Sequence, residues 1–334
     1  MKNINLSVDG GGTSLRVVAF DDDLRLVAKS SSGAINPNFE SEQKIRENIS
    51  EALNGLAAGL GGDFKIGRVY RTLVGSGTLF DKMLENSGFS GCADIRDIPE
   101  GHSHLLAASL GDTGGVALAG TGSGAIYCAK NKTIHLGGCG LPVGDEGSGA
   151  WIGLQGMSAV FRHINGWGEE TLLTQKLYEY LNVSPPNSPV GALYKKGVSQ
   201  RSLFAGFCRY VAYCERAGDR VAGEIIYQAG KNMGLQMIGA IKKAEEAKLI
   251  DTRVEPPTIY ASGGAWKGTP YMLEAMDETV KNAYPGAVCK YGLFDPVIAG
   301  VIEFVFDQTK KREISGQMLE HLKSEFENYL FKIS

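Results

Sequence analysis

Hydrophobic and polar positions alternate along Asn3 to Val8 and again along Ser14 to Phe20, where the β-branched run SLRVVAF has the period of a strand. Asp9 and Gly10-Gly11-Gly12-Thr13 lie between the two, so these glycines join strand to strand. The pattern returns in mid-chain. Gly115 to Ala119 reads as a strand, Gly120-Thr121-Gly122-Ser123-Gly124 as its turn, and Ala125 to Ala129 as the next strand. Polar turns follow at matching distances: Asp21-Asp22-Asp23 begins eleven residues after Gly10, and Asn131-Lys132-Thr133 begins eleven residues after Gly120. Each precedes a short apolar strand and a small-residue run, Ser30 to Gly33 and Gly137 to Gly140. The spacing predicts a duplicated β-hairpin unit, one per domain, with the boundary near Asp112 to Gly114.

Apolar residues at helical spacing predict helices over Glu42 to Leu60, His102 to Leu110, Ser148 to His163, Arg201 to Ala217 and Arg220 to Leu249, with strands at Arg68 to Val74 and Thr258 to Ala261. A final amphipathic helix, Glu313 to Phe331, is expected to pack back on the first domain. The predicted fold is therefore α/β with two domains, residues 1–112 and 113–312.

Composition sharpens this picture at one residue type. Glycine accounts for 45 of 334 residues, roughly twice average usage, while proline stays low at 11, so the excess belongs to a folding chain whose backbone approaches something closely. Charge is near balance at −3, and scattered Lys and Arg argue against a nucleic-acid surface. No run approaches the ~18 apolar residues of a membrane helix, and MKNINLSVDGGG has no signal-peptide core, so a cytoplasmic protein is expected. The six cysteines, Cys92, Cys128, Cys139, Cys208, Cys214 and Cys289, include no C-x-x-C pair and are expected to be small core residues, apart from Cys139 in its glycine run.

Strand-to-strand glycine turns weaken a dinucleotide-fingerprint reading, which needs glycines that open a helix, and the absence of G-x-x-x-x-G-K-[ST] weakens a P-loop reading. Two such turns, each with a hydroxyl residue, suit phosphate oxygens instead: glycine permits φ > 0 and removes the Cβ that would hold an anion away. Facing each other across a cleft, they would grip a polyphosphate from both sides. Asp9, a carboxylate at a strand end beside the first loop, is the natural magnesium partner; a turn aspartate bonding its own glycine amides is the alternative. Asp145 and Glu146, in Gly144-Asp145-Glu146-Gly147-Ser148, precede a helix, where they either cap it or, among so many glycines, face a ligand.

Asp9-Gly-Gly-Gly-Thr13, Gly120-Thr-Gly-Ser123, Gly144-Asp-Glu-Gly-Ser148 with Trp151-Ile152, Leu203-Phe-Ala-Gly-Phe-Cys208 and Ser262-Gly-Gly-Ala-Trp-Lys267 occur in the order seen in N-acetylglucosamine kinases. From about residue 4 to about residue 308 the chain resembles the BadF/BadG/BcrA/BcrD group of the sugar kinase, Hsp70 and actin superfamily. The resemblance implies a two-domain actin-like ATPase (ribonuclease H-like) fold with a cleft between domains, the cofactors ATP and Mg²⁺, an amino-sugar substrate and a homodimer. It implies that Gly10, Gly11, Gly12 and Thr13 bind the β/γ-phosphates, that Gly120, Thr121, Gly122 and Ser123 form the second phosphate loop, and that Ala205, Gly263 and Gly264 flank the adenosine. Asn36, Gly138, Cys139, Gly140 and Asp145 would line the sugar pocket. Where such a kinase carries Trp between two glycines, Cys139 is smaller, which leaves volume for the lactyl ether of N-acetylmuramic acid.

The resemblance departs at one position. The kinases carry a general-base aspartate nineteen residues before the first glycine of the second phosphate loop, and here that position is Gly101. Glu100 is the first substitute, with His102 and His104 behind it, since a base must reach the hydroxyl proton. Glu100 and Asp145 are thus the candidate catalytic acids. Two other functions stay open: an ATPase activator working through an iron–sulfur cluster, for which Cys128 and Cys139 lack the expected cysteine motif, and a nucleotide- and sugar-binding regulator without catalysis.

Overall fold

The computed structural model describes residues 2–62, 64–87, 89, 94–194 and 199–333; Cys92 lies outside them. The chain divides into two compact units, unit 1 from residues up to Asp112 together with Gly292–Phe331, and unit 2 built on Thr113–Tyr291.

Unit 1 opens with β1 (Lys2–Gly10), β2 (Ser14–Phe20) and β3 (Leu26–Gly33), then α1 (Glu42–Leu60), β4 (Phe64–Leu73), α2 (Gly77–Glu85), β5 (Asp94–Asp97) and α3 (Glu100–Ser109). β1, β2 and β3 pair antiparallel, β1 pairs parallel with β4 and β4 with β5, for a sheet order β3-β2-β1-β4-β5. Alternation along β1 and β2 sends Ile4, Leu6, Val8, Leu15, Val17 and Ala19 to one face, where they pack with Ile45, Ile49, Ala52, Leu53 and Leu56 of α1. The other face of β1 carries Asn5, Ser7 and, at its end, Asp9. α1 starts where Ser41 accepts a hydrogen bond from the Lys44 amide at 3.3 Å, and it stops at Gly61, whose left-handed φ of 64° suits glycine.

Unit 2 repeats the plan. β6 (Gly114–Ala119), β7 (Ser123–Ala129) and β8 (Lys132–Gly137) are followed by α4 (Gly149–Ile164), α5 (Leu173–Leu181), α6 (Val190–Leu193), α7 (Gln200–Arg216), α8 (Arg220–Glu246), β9 (Thr258–Ser262), α9 (Tyr271–Ala283) and β10 (Val288–Tyr291). The sheet order β8-β7-β6-β9-β10 matches unit 1 strand for strand, antiparallel on the hairpin side and parallel on the other. The duplication expected from two loops thus extends to both sheets. Trp266 is fully buried against this sheet, its indole N–H donating to the Ala117 carbonyl at 2.9 Å. α4 and α7 meet at backbone distance: a Cβ on Gly153 would lie 1.8 Å from the Phe204 carbonyl oxygen.

The chain returns to unit 1 at Gly292, ahead of the expected Glu313, through α10 (Ala299–Thr309) and α11 (Gly316–Glu325). The reason lies in Ser7, whose hydroxyl donates to the Val297 carbonyl at 2.5 Å and accepts from the Gly300 amide at 3.0 Å, fastening the start of α10 to the polar face of β1. Phe294, Val301, Phe304 and Val305 then bury themselves with Val18, Phe20 and Tyr70, each such side chain contributing about 1.5–3 kcal/mol. The closing helix is also shorter than expected: Ser315 caps α11, and after Glu325 the chain makes only a short 3₁₀ turn at Glu327–Tyr329. Among the described residues no helix is long and apolar enough to cross a membrane.

Candidate functional site

In unit 1 the Gly10–Thr13 turn joins β1 to β2, and strand register sets Asp9 opposite Arg16. The Arg16 guanidinium donates from Nη2 to Asp9 Oδ2 at 3.0 Å and from Nη1 to Asp295 Oδ2 at 3.4 Å. Asp9 thus ends its strand as one member of a chain Asp9–Arg16–Asp295, with its side chain 19% exposed. Gly10 is required by space, since a Cβ there would lie 2.5 Å from Ile35 Cδ1, whereas Gly11 has nothing within 4 Å of its Cβ position. Neither has positive φ, and nor do Gly120, Gly122 and Gly124, so the conformational reason expected for these loops gives way to close packing at Gly10, Gly122 and Gly124.

Glu100 opens α3 and is exposed; His104, four residues on and so on the same face, is buried. Burial pushes the His104 imidazole below its ordinary value, while the carboxylates of Asp9, Glu100 and Asp295 pull upward without reversing the shift. These charges place His104 in the neighbourhood of the Asp9 chain. His102 points to other partners, Asp112 at 3.2 Å and Glu303 at 3.5 Å, with Arg312 bridging the same two carboxylates. It is thereby tied to Glu303 of α10 and to Asp112, just beyond α3. Burial alone would raise the Glu303 carboxyl, but hydrogen bonds from His102 and Arg312 hold it below its usual value. Asp97, the acid at the end of β5, is committed to Arg71 at 2.6 and 3.3 Å.

A buried neutral His104 has a consequence for stability. The unfolded chain takes up a proton as pH falls through about 6.5 and the folded form resists it, so the contribution is complete above that value and is lost below it. The thermal midpoint is therefore expected to drop between pH 7.5 and pH 5.5, and His104→Gln to flatten that slope. Glu303 acts in the same sense only at lower pH, outside this window. Equal slopes in both proteins would contradict the assignment.

In unit 2 the Gly120–Ser123 loop is held from beneath. Gly149 and Ala150, the first amides of α4, donate to the carbonyls of Gly120 and Thr121 at 2.8 and 3.3 Å, and the Gly120 amide donates to the Gly122 carbonyl at 2.9 Å. The Ser123 hydroxyl donates to the Glu146 carbonyl at 2.9 Å. Ser148, accepting from the Trp151 amide at 3.0 Å, caps α4, so the acids before it are not its cap. Asp145 is 2% exposed at a φ of 63°, a left-handed position aspartate tolerates. Its Oδ1 accepts from the Ser123 amide at 3.3 Å and its Oδ2 from Arg201 at 3.1 Å.

The residues expected to flank an adenosine gather at the same loop. A Cβ on Gly149 would lie 3.1 Å from the Gly120 carbonyl oxygen and 3.8 Å from that of Ala205. Gly263 has a φ of 109°, and its Cβ would lie 2.5 Å from the Ala119 carbonyl oxygen and 3.0 Å from the Gly120 nitrogen. Gly120, Thr121, Gly122, Ser123, Ala205 and Gly263 therefore meet in unit 2, with Gly264 starting the next turn.

A sequence model of the BadF/BadG/BcrA/BcrD ATPase family matches residues 6–302. The chain belongs to that family. Among curated relatives of this BadF/BadG/BcrA/BcrD ATPase, an N-acetylmuramic acid/N-acetylglucosamine kinase of Clostridium acetobutylicum is 21% identical over 84% of the chain and 91% of the relative. A glucosamine kinase of Vibrio cholerae is 27% identical over 73% of the chain and 82% of the relative. A solved structure from Porphyromonas gingivalis, described as a candidate N-acetylglucosamine kinase, superposes with a TM-score of 0.67 at 15% identity over 92% of this chain and all of that one. The fold is thus that of the actin-like ATPases and sugar kinases.

The sugar-side expectations fall on both units of this family member. Asn36 belongs to unit 1, 7% exposed, its side-chain oxygen accepting from the Asn38 amide at 2.9 Å. Gly138, Cys139 and Gly140 follow β8 in unit 2, the two glycines at φ of 72° and 78°, and Cys139 is exposed, with Gly144 close against its Cβ. Cys128, Cys208 and Cys214 are buried and Cys289 partly so, as expected of small core residues. Sequence reading missed Arg16 and Arg201. Arg16 had a usable signal, because a hairpin turn at Gly10–Thr13 sets it across from Asp9; Arg201 had only its place at the start of the helix that carries Ala205.

Proposed function

We propose that this chain is an ATP-dependent kinase that phosphorylates a hydroxyl of an amino sugar, N-acetylglucosamine or N-acetylmuramic acid. The observation that carries the reading is the convergence of Gly120–Ser123, Ala205 and Gly263 on one glycine-rich loop at the end of β6, whose carbonyls are tied down by α4 and its own turn. The curated relatives supply the substrate class, since those named above act on amino sugars.

The Gly10–Thr13 turn would bind the β/γ-phosphates, Gly120–Ser123 the phosphates from unit 2, and Ala205 with Gly263 and Gly264 the adenosine. Asp9, which gives one carboxylate oxygen to Arg16 at 3.0 Å, would hold magnesium directly or through water. Bound there, Mg²⁺ would neutralise charge on the transferring phosphoryl group. Glu100 takes the proton of the sugar hydroxyl while that oxygen forms its bond to the γ-phosphorus and the bond from the γ-phosphorus to the β-γ bridging oxygen breaks, releasing ADP. Asn36, Gly138, Cys139, Gly140 and Asp145 would orient the sugar. A homodimer is the assembly expected from the resemblance.

Incubation with ATP and both sugars, followed by mass spectrometry, is expected to show a singly phosphorylated amino sugar; ATP consumed with both sugars unmodified would contradict the reading. Cys139 gives a specificity prediction. Cys139→Trp fills the volume beside the two glycines and is expected to lower kcat/KM for N-acetylmuramic acid relative to N-acetylglucosamine by roughly 10–200-fold, the range for one misfitting apolar group. An unchanged ratio would remove Cys139 from the pocket.

A further inference from the structure

We propose that Arg201 is a ligand of the nucleotide phosphates, a role that rests on the reading of Gly120–Ser123 as a phosphate loop. Arg201 is the second residue of α7, after the Ser199 cap. Its Nη2 lies 2.6 Å from where a Cβ of Gly122 would stand, and both Asp145 oxygens lie 3.1 Å from the same point. Since Gly122 has ordinary φ, the missing side chain at this position makes room for the guanidinium on the loop. Arg201 and Ala205 are four apart and share one face of α7, so the face that borders the loop at the adenosine side also carries the charge.

Asp145, 2% exposed, would put an uncompensated negative charge under a loop that receives anions; Arg201 offsets it at 3.1 Å. The guanidinium is a planar fork of N–H donors whose geometry matches phosphate oxygens. The pair is neutral overall, so an arriving phosphate meets a guanidinium and not an uncompensated carboxylate.

Calorimetric titration of the whole protein with adenosine, ADP and ATP, each with Mg²⁺, tests the proposal. Arg201→Met is expected to weaken ADP and ATP by roughly 10–100-fold, the range for a hydrogen bond to a charged group, and to leave adenosine within about twofold; Arg201→Lys should recover part of the loss. If Arg201→Met alone fails to fold, the double variant Asp145→Asn/Arg201→Met removes the buried charge as well and should show the same loss for ADP and ATP. Unchanged ATP affinity, or an equal loss for adenosine, would overturn the proposal by leaving Arg201 a structural clamp. Wild-type protein that binds ATP no more tightly than adenosine would overturn the phosphate-loop reading itself, and with it this one.

Discussion

Gly263→Ala is expected to lower the stability of the protein by roughly 3–5 kcal/mol and to abolish measurable ATP binding, while Gly264→Ala, one residue on, changes stability by less than about 1 kcal/mol. The two glycines look alike in sequence but not in space. Gly263 has a φ of 109°, a region that L side chains rarely adopt, and its Cβ would stand 2.5 Å from the Ala119 carbonyl oxygen, 2.6 Å from its carbon and 3.0 Å from the Gly120 nitrogen. Those neighbours are backbone at the end of β6, so relief requires moving the strand end and the first residue of the loop. Gly264 has nothing within 4 Å of its Cβ position and no positive φ. Chemical denaturation of both variants, with ATP titration of each, provides the comparison. Near-wild-type stability for Gly263→Ala would mean that β6 and its loop are not seated as described.

Glu100→Gln is expected to reduce kcat by roughly 10²–10⁴-fold, the range for loss of a general base, with the thermal midpoint and both KM values little changed. The substitution preserves size, and Glu100 is exposed at the first position of α3, so a large effect on turnover alone would report proton transfer rather than folding. His104 is the alternative, one helical turn away on the same face. If Glu100→Gln retains full turnover and His104→Gln loses it, the base is the imidazole.

Much of the fold was legible because it is periodic. The two hairpins, α1, α4, α7 and α8 follow from strand alternation and helical spacing in stretches long enough to show their period. Short elements were not legible: β5 and β10 have four residues each, and α2 has nine. The return to unit 1 at Gly292 was hidden for another reason, since it depends on one hydroxyl, Ser7, meeting residues almost three hundred positions later. Of the candidate site, the glycine loops could be located but not explained. Their glycines serve close approach, to Ile35 at Gly10 and to Arg201 and Asp145 at Gly122, and those partners become neighbours only through packing. Asp145 could be picked out as a candidate, but its partners could not, because a left-handed turn brings its oxygens to the Ser123 amide and the Arg201 guanidinium only in the folded chain. Gly101 remains where the related kinases are expected to carry an acid, and the structure puts Glu100 before it and buried His104 after it.

ADP release with ATP and Mg²⁺ in excess, compared across N-acetylglucosamine, N-acetylmuramic acid, glucosamine, glucose and no sugar, tests the kinase reading most directly. Release that depends on an amino sugar and matches the sugar phosphate formed is the expected result. ADP released at the same rate without sugar, or no release with any of the four, would contradict it.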